Sequence, residues 1–195
     1  MKYEQLRSLI KSPVFYNKDI ALGDNHIFGS QLTAWVKKGY ITRLKNGIYC
    51  FNSELDSISG EHVSSIIYEP SYLSLEKALS YHGIIPEIVH TYTLVTTKTN
   101  RIFNNIKGKF AYQHIKKSLF WGYTEEINTG GRFLIAEPEK ALLDFLYLKM
   151  ASINNQEDVN SFRFNLTDLN ISKLKKYAKA YDVKKISTLV NLCLQ

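Results

Sequence analysis

Glu137, Glu139, Lys140 and Asp144 fall within eight positions near the start of one helical stretch. Carboxylates that hold a metal beside a lysine are the equipment of a nuclease. Their setting favours a plainer role. Glu137 and Glu139 point to different faces of a helix start, Pro138 sits at its first turn, and Leu142, Leu143, Leu146 and Leu148 make the helix largely core. Acids there cap the helix and complement its dipole. His62, His82, His90 and His114 are scattered, without metal-ligand spacing and without a cysteine partner. His82 precedes Gly83, a place for capping or packing. No phosphate-cradling glycine loop or nucleophile elbow occurs, and Gly130-Gly131 reads as a hairpin turn. The chain does not read as an enzyme, and no cofactor or metal is expected.

A second grouping suits phosphates. Between Asn25 and Ser53 there is no acid, while Lys37, Lys38, Arg43 and Lys45 are present. Cations of this kind bind nucleic acid by releasing its counterions. Phe28, Leu32, Trp35 and Val36 recur at i, i+4, i+7 and i+8, the inward stripe of an amphipathic helix. His26, Ser30, Thr33, Ala34 and Lys37 take the outward face. Asn25 or Ser30 caps this helix, and Gly39 ends it. Ser30, Thr33, Ala34 and Lys37 are therefore candidates for base edges in a major groove. Arg43, Lys45 and Asn46 are candidates for phosphates or the adjacent minor groove. The alternative is a solvated helix and an ordinary surface hairpin.

These residues need a frame of three helices and a hairpin. Tyr3, Leu6, Leu9 and Ile10 mark a first amphipathic helix; Phe15–Leu22 reads as a second, with Asn17 as cap and Gly23 as stop. Asn46-Gly47 between ITRLK and IYCF predicts a hairpin closed by a type I′ turn. With Leu6, Ile20, Leu32, Trp35 and Ile41 as core, residues 1–52 read as a winged helix-turn-helix.

The polar stretch Asn52–Gly60 reads as a linker, and residues 57–195 as a mixed α/β domain with a small sheet, expected to fold independently. Helices are expected over His62–Tyr68, Leu75–His82 (capped by Ser74), Glu137–Met150, Lys173–Tyr181 and Val183–Leu194. Strands are expected over Thr91–Thr97, Lys109–Ile115 and Arg132–Ala136. Ser152–Val159 reads as a polar loop. The fold class is thus α+β.

Within this second part Lys98, Arg101, Lys107, Lys109, Lys116 and Lys117 form another basic run, with no acid between Glu87 and Glu125. Tyr92, Phe103, Phe110, Tyr112, Phe120, Trp121 and Tyr123 are interleaved with it. Such aromatics either stack on bases or pack a core while the lysines face water. Lys173, Lys175, Lys176, Lys179, Lys184 and Lys185 form a third cluster, read as a solvated helical face.

The totals agree. The chain has 195 residues, 45% of them hydrophobic, and a formal charge of +7. That favours an anionic partner. Cys50 and Cys193 are too few and too isolated for a disulfide framework or a zinc site. Glu4 and Arg7 interrupt the N-terminus before any apolar run, so no signal peptide is expected. No stretch is long enough to span a membrane. The reading is cytoplasmic.

YLSLEKALSYHGIIPE at 72–87, LVTTKTNR at 94–101, GKFAYQHI at 108–115 and AEPEKALLDFLYL at 136–148 occur in that order behind a wing ending in NGIYCF. Together they resemble the AbiEi family, antitoxins of the abortive-infection (type IV) toxin–antitoxin systems, over roughly residues 15–150. The resemblance implies an N-terminal domain that represses its own operon by binding promoter inverted repeats. It also implies a C-terminal domain that neutralises a nucleotidyltransferase toxin, functionally and without a stable complex. A rival reading is a protein-interaction module that binds the toxin directly; a nuclease is a third. With no heptad seam, the protein is expected to be a monomer that pairs on DNA.

Overall fold

The computed structural model describes residues 2–20 and 29–195, and the fold is α+β. Helix α1 (Tyr3–Leu9) leads to strand β1 (Val14–Tyr16) and the single turn α2 (Asn17–Ile20). Helix α3 (Gly29–Lys37) is followed by the hairpin β2 (Ile41–Lys45) and β3 (Ile48–Phe51), and the three strands form an antiparallel sheet in the order β1-β3-β2. Of the second helix expected over Phe15–Leu22, Asn17–Ile20 are helical and Phe15 and Tyr16 are strand among the described residues. Val14, Phe15 and Tyr16 pair with Cys50, Tyr49 and Ile48. Phe15 is fully buried, with its ring 4.8 Å from that of Phe51. β-branched and aromatic side chains pack well on a pleated surface, and here that outweighs helical continuity. The expected roles of Gly23, Asn25, His26 and Phe28 lie outside the described residues.

All four residues of β3 are buried. Alternation along a strand sends neighbours to opposite faces. Tyr49 and Phe51 join Leu6, Phe15, Leu32, Trp35 and Ile41 in a small N-terminal core. Ile48 and Cys50, with Val14 and Leu44, join the large core of the rest of the chain. The small sheet is therefore covered on both sides.

Residues Asn52–Ser57, expected as a linker, form a 3-10 helix. Glu54 there pairs with Arg7 of α1, and Ile58 just beyond is buried in the large core. The chain crosses from one part to the other through packed structure.

The second sheet has six strands: β4 (Ser71–Leu73), β5 (Tyr92–Thr96), β6 (Arg101–Asn105), β7 (Gly108–His114), β8 (Tyr123–Asn128) and β9 (Gly131–Ala136). Their order is β6-β7-β5-β4-β9-β8, with β5–β7 and β4–β9 parallel and the other pairs antiparallel. The expected strands are β5, β7 and β9. The three that periodicity missed have two reasons: β4 has three residues, while β6 and β8 are largely polar edges, as edges that avoid aggregation tend to be.

Helices α4 (Gly60–Ile67), α5 (Leu75–Tyr81), α6 (Pro138–Lys149), α8 (Ile171–Ala180) and α9 (Lys184–Cys193) match the expected ones. The expected loop at 152–159 is instead partly helix, α7 (Gln156–Ser161), started by a capping box between Asn155 and Asp158. Leu73, Leu94 and Tyr112 share a face by register, and Tyr112 donates to the Ser64 carbonyl on α4. Tyr72 faces the other way and reaches α6. Helices thus cover both sides of the sheet. Among the described residues no helix is long and apolar enough to cross a membrane.

Burial, with a smaller contribution from Glu54, pushes the Cys50 thiol up to about 11. At pH 8 only roughly one thiol in a thousand would then be the reactive thiolate, and burial shields it further. Cys50 should therefore resist iodoacetamide in the native protein and become alkylated only as β3 separates from the large core. Peptide mass spectrometry along a urea series should show its modification following the loss of circular dichroism. Alkylation well below the unfolding transition would contradict the two-sided burial of β3.

Candidate nucleic-acid interface

The acidic and basic side chains that open α6 are each consumed by the fold. Glu137 accepts from the Tyr177 hydroxyl at 2.7 Å and lies 3.1 Å from Lys173. Glu139 accepts from the Asn170 amide at 3.0 Å and also pairs with Lys173. Lys140 and Asp144 are fully buried and paired one helical turn apart. Asp144 Oδ2 accepts from Tyr72 at 3.0 Å and from Ser74 at 2.8 Å, while Oδ1 accepts from Tyr181 at 2.6 Å. Lys140 also donates to the Tyr181 oxygen and lies over the rings of Tyr72, Trp121 and Tyr181. Ser74 does stand at the N-cap of α5, but its hydroxyl serves Asp144 rather than the helix.

Burial lowers the Lys140 pKa, with Asp144 opposing, and burial raises those of Tyr72 and Tyr181, with Asp144 adding. Both phenols thus keep the protons they donate. Sequence alone hid Tyr72, Ser74, Trp121 and Tyr181. The one signal was a charged i, i+4 pair inside a run of leucines. Three histidines are likewise occupied: His62, His82 and His114 contact the carbonyls of Arg132, Ala136 and Lys98. Among the described residues no three His, Cys, Asp or Glu side chains gather as a metal would need.

The N-terminal part presents a different surface. Leu32 and Trp35 turn α3 inward, while Ser30, Thr33, Ala34 and Lys37 are all exposed. Val36, expected on the inward stripe, is 36% exposed. Thr33 Oγ1 donates back to the Gly29 carbonyl at 2.9 Å, which fixes its rotamer and leaves its methyl group and oxygen outward. Arg43 and Asn46 on the hairpin are exposed as well.

Lys45 is placed otherwise. Arg43 pairs with Tyr49 and Lys45 with Ile48, so Leu44 is the extra residue of a β-bulge. Plain alternation would set Lys45 beside Arg43. The bulge instead sends it with Leu44 toward the large core. Its Nζ donates to the Ile67 carbonyl at 2.7 Å and lies 5.3 Å from the Tyr68 ring centroid and 5.0 Å from that of Phe103. Burial, then the neighbouring Lys98, lowers its pKa. Lys45 is a structural tie here rather than a free cation on the hairpin.

The turn also departs from type I′. Gly47 has φ +80°, while Asn46 is not among the residues with positive φ. A left-handed glycine beside a bulge is the other common way to close such a hairpin. The Leu44 carbonyl freed by the bulge accepts from Asn105 at 3.0 Å, which fastens β6 against β2.

In the second basic run Lys98, Arg101, Lys109, Lys116 and Lys117 are exposed and Lys107 is half-buried. The interleaved aromatics are not exposed; they pack on one another. Tyr92 stacks on Phe110 with centroids 5.0 Å apart, and Phe103 meets both Tyr68 and Tyr112. Those rings are not free to stack on bases. In the third cluster Lys173 is taken by the two glutamates, and Lys175, Lys176, Lys179, Lys184 and Lys185 are all exposed. No protein-family model matches the chain, and no curated protein matches it.

Two measurements follow from this geometry. Replacing Lys140 or Asp144 alone with alanine should cost about 3–5 kcal/mol in urea unfolding, because each strands a buried charge. Replacing the pair with Met and Leu should recover most of that loss. Single replacements costing under about 1 kcal/mol would mean the pair is not buried. Separately, Lys45→Ala should lower the melting temperature while leaving the salt dependence of DNA binding unchanged. Arg43→Ala should leave stability unchanged and reduce that slope by about one unit. The opposite assignment of effects would place Lys45 at the surface.

Proposed function

We propose that this protein is a DNA-binding autorepressor and antitoxin. In this reading the first 52 residues act as a winged helix-turn-helix. The order α1-β1-α2-α3-β2-β3, with β1 alongside β3, supports it. The observation that carries it is the exposed strip of Ser30, Thr33, Ala34 and Lys37 next to exposed Arg43 and Asn46. It is short-chained and cationic, free to enter a groove, and flanked by a fixed sheet. Helix α3 reads base edges, with Thr33 offering a methyl group and a hydroxyl and Lys37 a donor. Arg43 and Asn46 meet phosphates. Two copies pair on the inverted repeats of an operator, each a monomer when free.

The antitoxin half rests on the ordered motifs of residues 72–148, which resemble those of proteins that counter a nucleotidyltransferase toxin. Fluorescence anisotropy with the DNA upstream of its own gene tests the first half. The full chain should bind that DNA at least a hundredfold more tightly than scrambled DNA of equal length, and Thr33→Val should alter base preference more than affinity. Equal binding to both DNAs, with a Thr33 variant that changes neither, would remove α3 as the reading element. Co-expression with the neighbouring gene product tests the second half: growth should be rescued without co-purification.

A further inference from the structure

Strands β4 and β9 run parallel but meet at one register position, Leu73 against Ile135, and part toward their N-terminal ends. There the Leu134 amide of β9 donates instead to the Ser65 hydroxyl oxygen on α4, at 3.3 Å. A cavity of about 440 Å³ opens in this split, and it is lined by both strands, by α4 and by β8. That is ample for a small molecule.

Its most informative residue is Ser71. This side chain lines the cavity, is 3% exposed, and its Oγ has no hydrogen-bond partner. A buried hydroxyl left without a partner is costly. Serine also has an easy escape in local bonds to backbone carbonyls, which this one does not make. An occupant of the cavity would supply the missing bond.

The rest of the lining says what that occupant brings. Phe120, Tyr123 and Phe133 contribute aromatic surface. The polar groups are mostly acceptors. Glu69 and Glu125 are carboxylates, and Arg132, the one cation of the lining, lies 3.7 Å from Glu125, which leaves Glu69 as the net charge. His62 Nδ1 lies 2.8 Å from the Arg132 carbonyl, and because a carbonyl only accepts, the proton is on Nδ1. In the neutral ring Nε2 is then another acceptor. Aromatic walls favour a flat ring. Acceptors and a net negative rim favour N–H donors over an acid.

We propose that the split between β4 and β9 binds a flat nitrogen heterocycle carrying amino groups, of nucleobase size. This stands independently of the DNA-binding reading, since none of these residues belongs to α3 or the β2–β3 hairpin.

Adenine and cytosine are suitable probes, with benzoate as a flat anion that lacks N–H donors. Amide chemical-shift titration of the full chain should give saturable shifts at Ser71, Phe133 and Leu134 with a base and none with benzoate. Ser71→Ala, which removes only the hydroxyl oxygen, should melt at or near the wild-type temperature and bind the base at least tenfold more weakly. Glu125→Gln, at the exposed rim, should weaken binding severalfold without altering the melt. Three results would overturn the proposal: no saturable shift from either base, equal shifts from benzoate, or a Ser71→Ala protein that binds as wild type. A Ser71→Ala protein that melts well below wild type would also overturn it, since the hydroxyl would then be serving the fold.

Discussion

A lysine and an aspartate buried together are tolerated only if every proton and lone pair between them is answered. Around Lys140 and Asp144 they are. Asp144 receives the lysine, two phenols and a serine hydroxyl, and the ammonium rests against three aromatic rings. The partners come from far apart in the chain: β4, the entry to α5, the turn before β8, α6, and the end of α8. Gly122, with φ +72°, lets the backbone pass so close that a β-carbon would stand 3.1 Å from the lysine stem. Leu75, with φ +57°, is held next to Ser74 in a conformation that leucine avoids. A hydrophobic pair in the same place would fill space equally well. The charged pair adds direction, because only one arrangement of five elements satisfies it.

A similar economy governs β3. Four residues supply two cores because successive side chains face opposite ways, and no residue of the strand is left for solvent. The bulge at Leu44 extends that arrangement. It sends Leu44 and Lys45 to the same side, where the leucine fills the large core and the lysine caps the Ile67 carbonyl at the end of α4. Arg43, one residue earlier, is left outward. One extra residue thus decides which cation of the hairpin is structural and which is available.

Much of this was legible beforehand, and the failures have physical reasons. The third helix, the hairpin at Asn46-Gly47, α5, α6 and the strands Tyr92–Thr96, Gly108–His114 and Gly131–Ala136 follow from periodicity, caps and turn residues. Strand β1 was hidden because its pairing partner lies more than thirty residues on. The strands β6 and β8 were hidden because an edge needs polar residues. Among site residues, Ser30, Thr33, Ala34, Lys37 and Arg43 are as exposed as the helical and strand periods implied. Lys45 was not, because a bulge leaves no mark in the pattern of residue types. The basic run at 98–117 was readable as charge, but whether its aromatics faced water depended on tertiary packing.

The position of Lys45 bears on how the two parts of the chain work together. Were Asn52–Gly60 a free tether, α3 and the large domain could take any angle to one another. Instead Val14, Leu44, Ile48 and Cys50 lie in the large core, Asn105 holds the Leu44 carbonyl, and Arg7 pairs with Glu54 across the crossing. Packed side chains interdigitate like a crystal and resist sliding. The direction of α3 is therefore set by the second sheet, through the bulge and the end of α4. On the proposed reading, in which α3 enters a groove, the large domain would be carried at a fixed angle to the duplex. Pairing of two copies on an inverted repeat would then depend on half-site spacing as well as on sequence, because the large domains cannot swing aside to accommodate a shorter one.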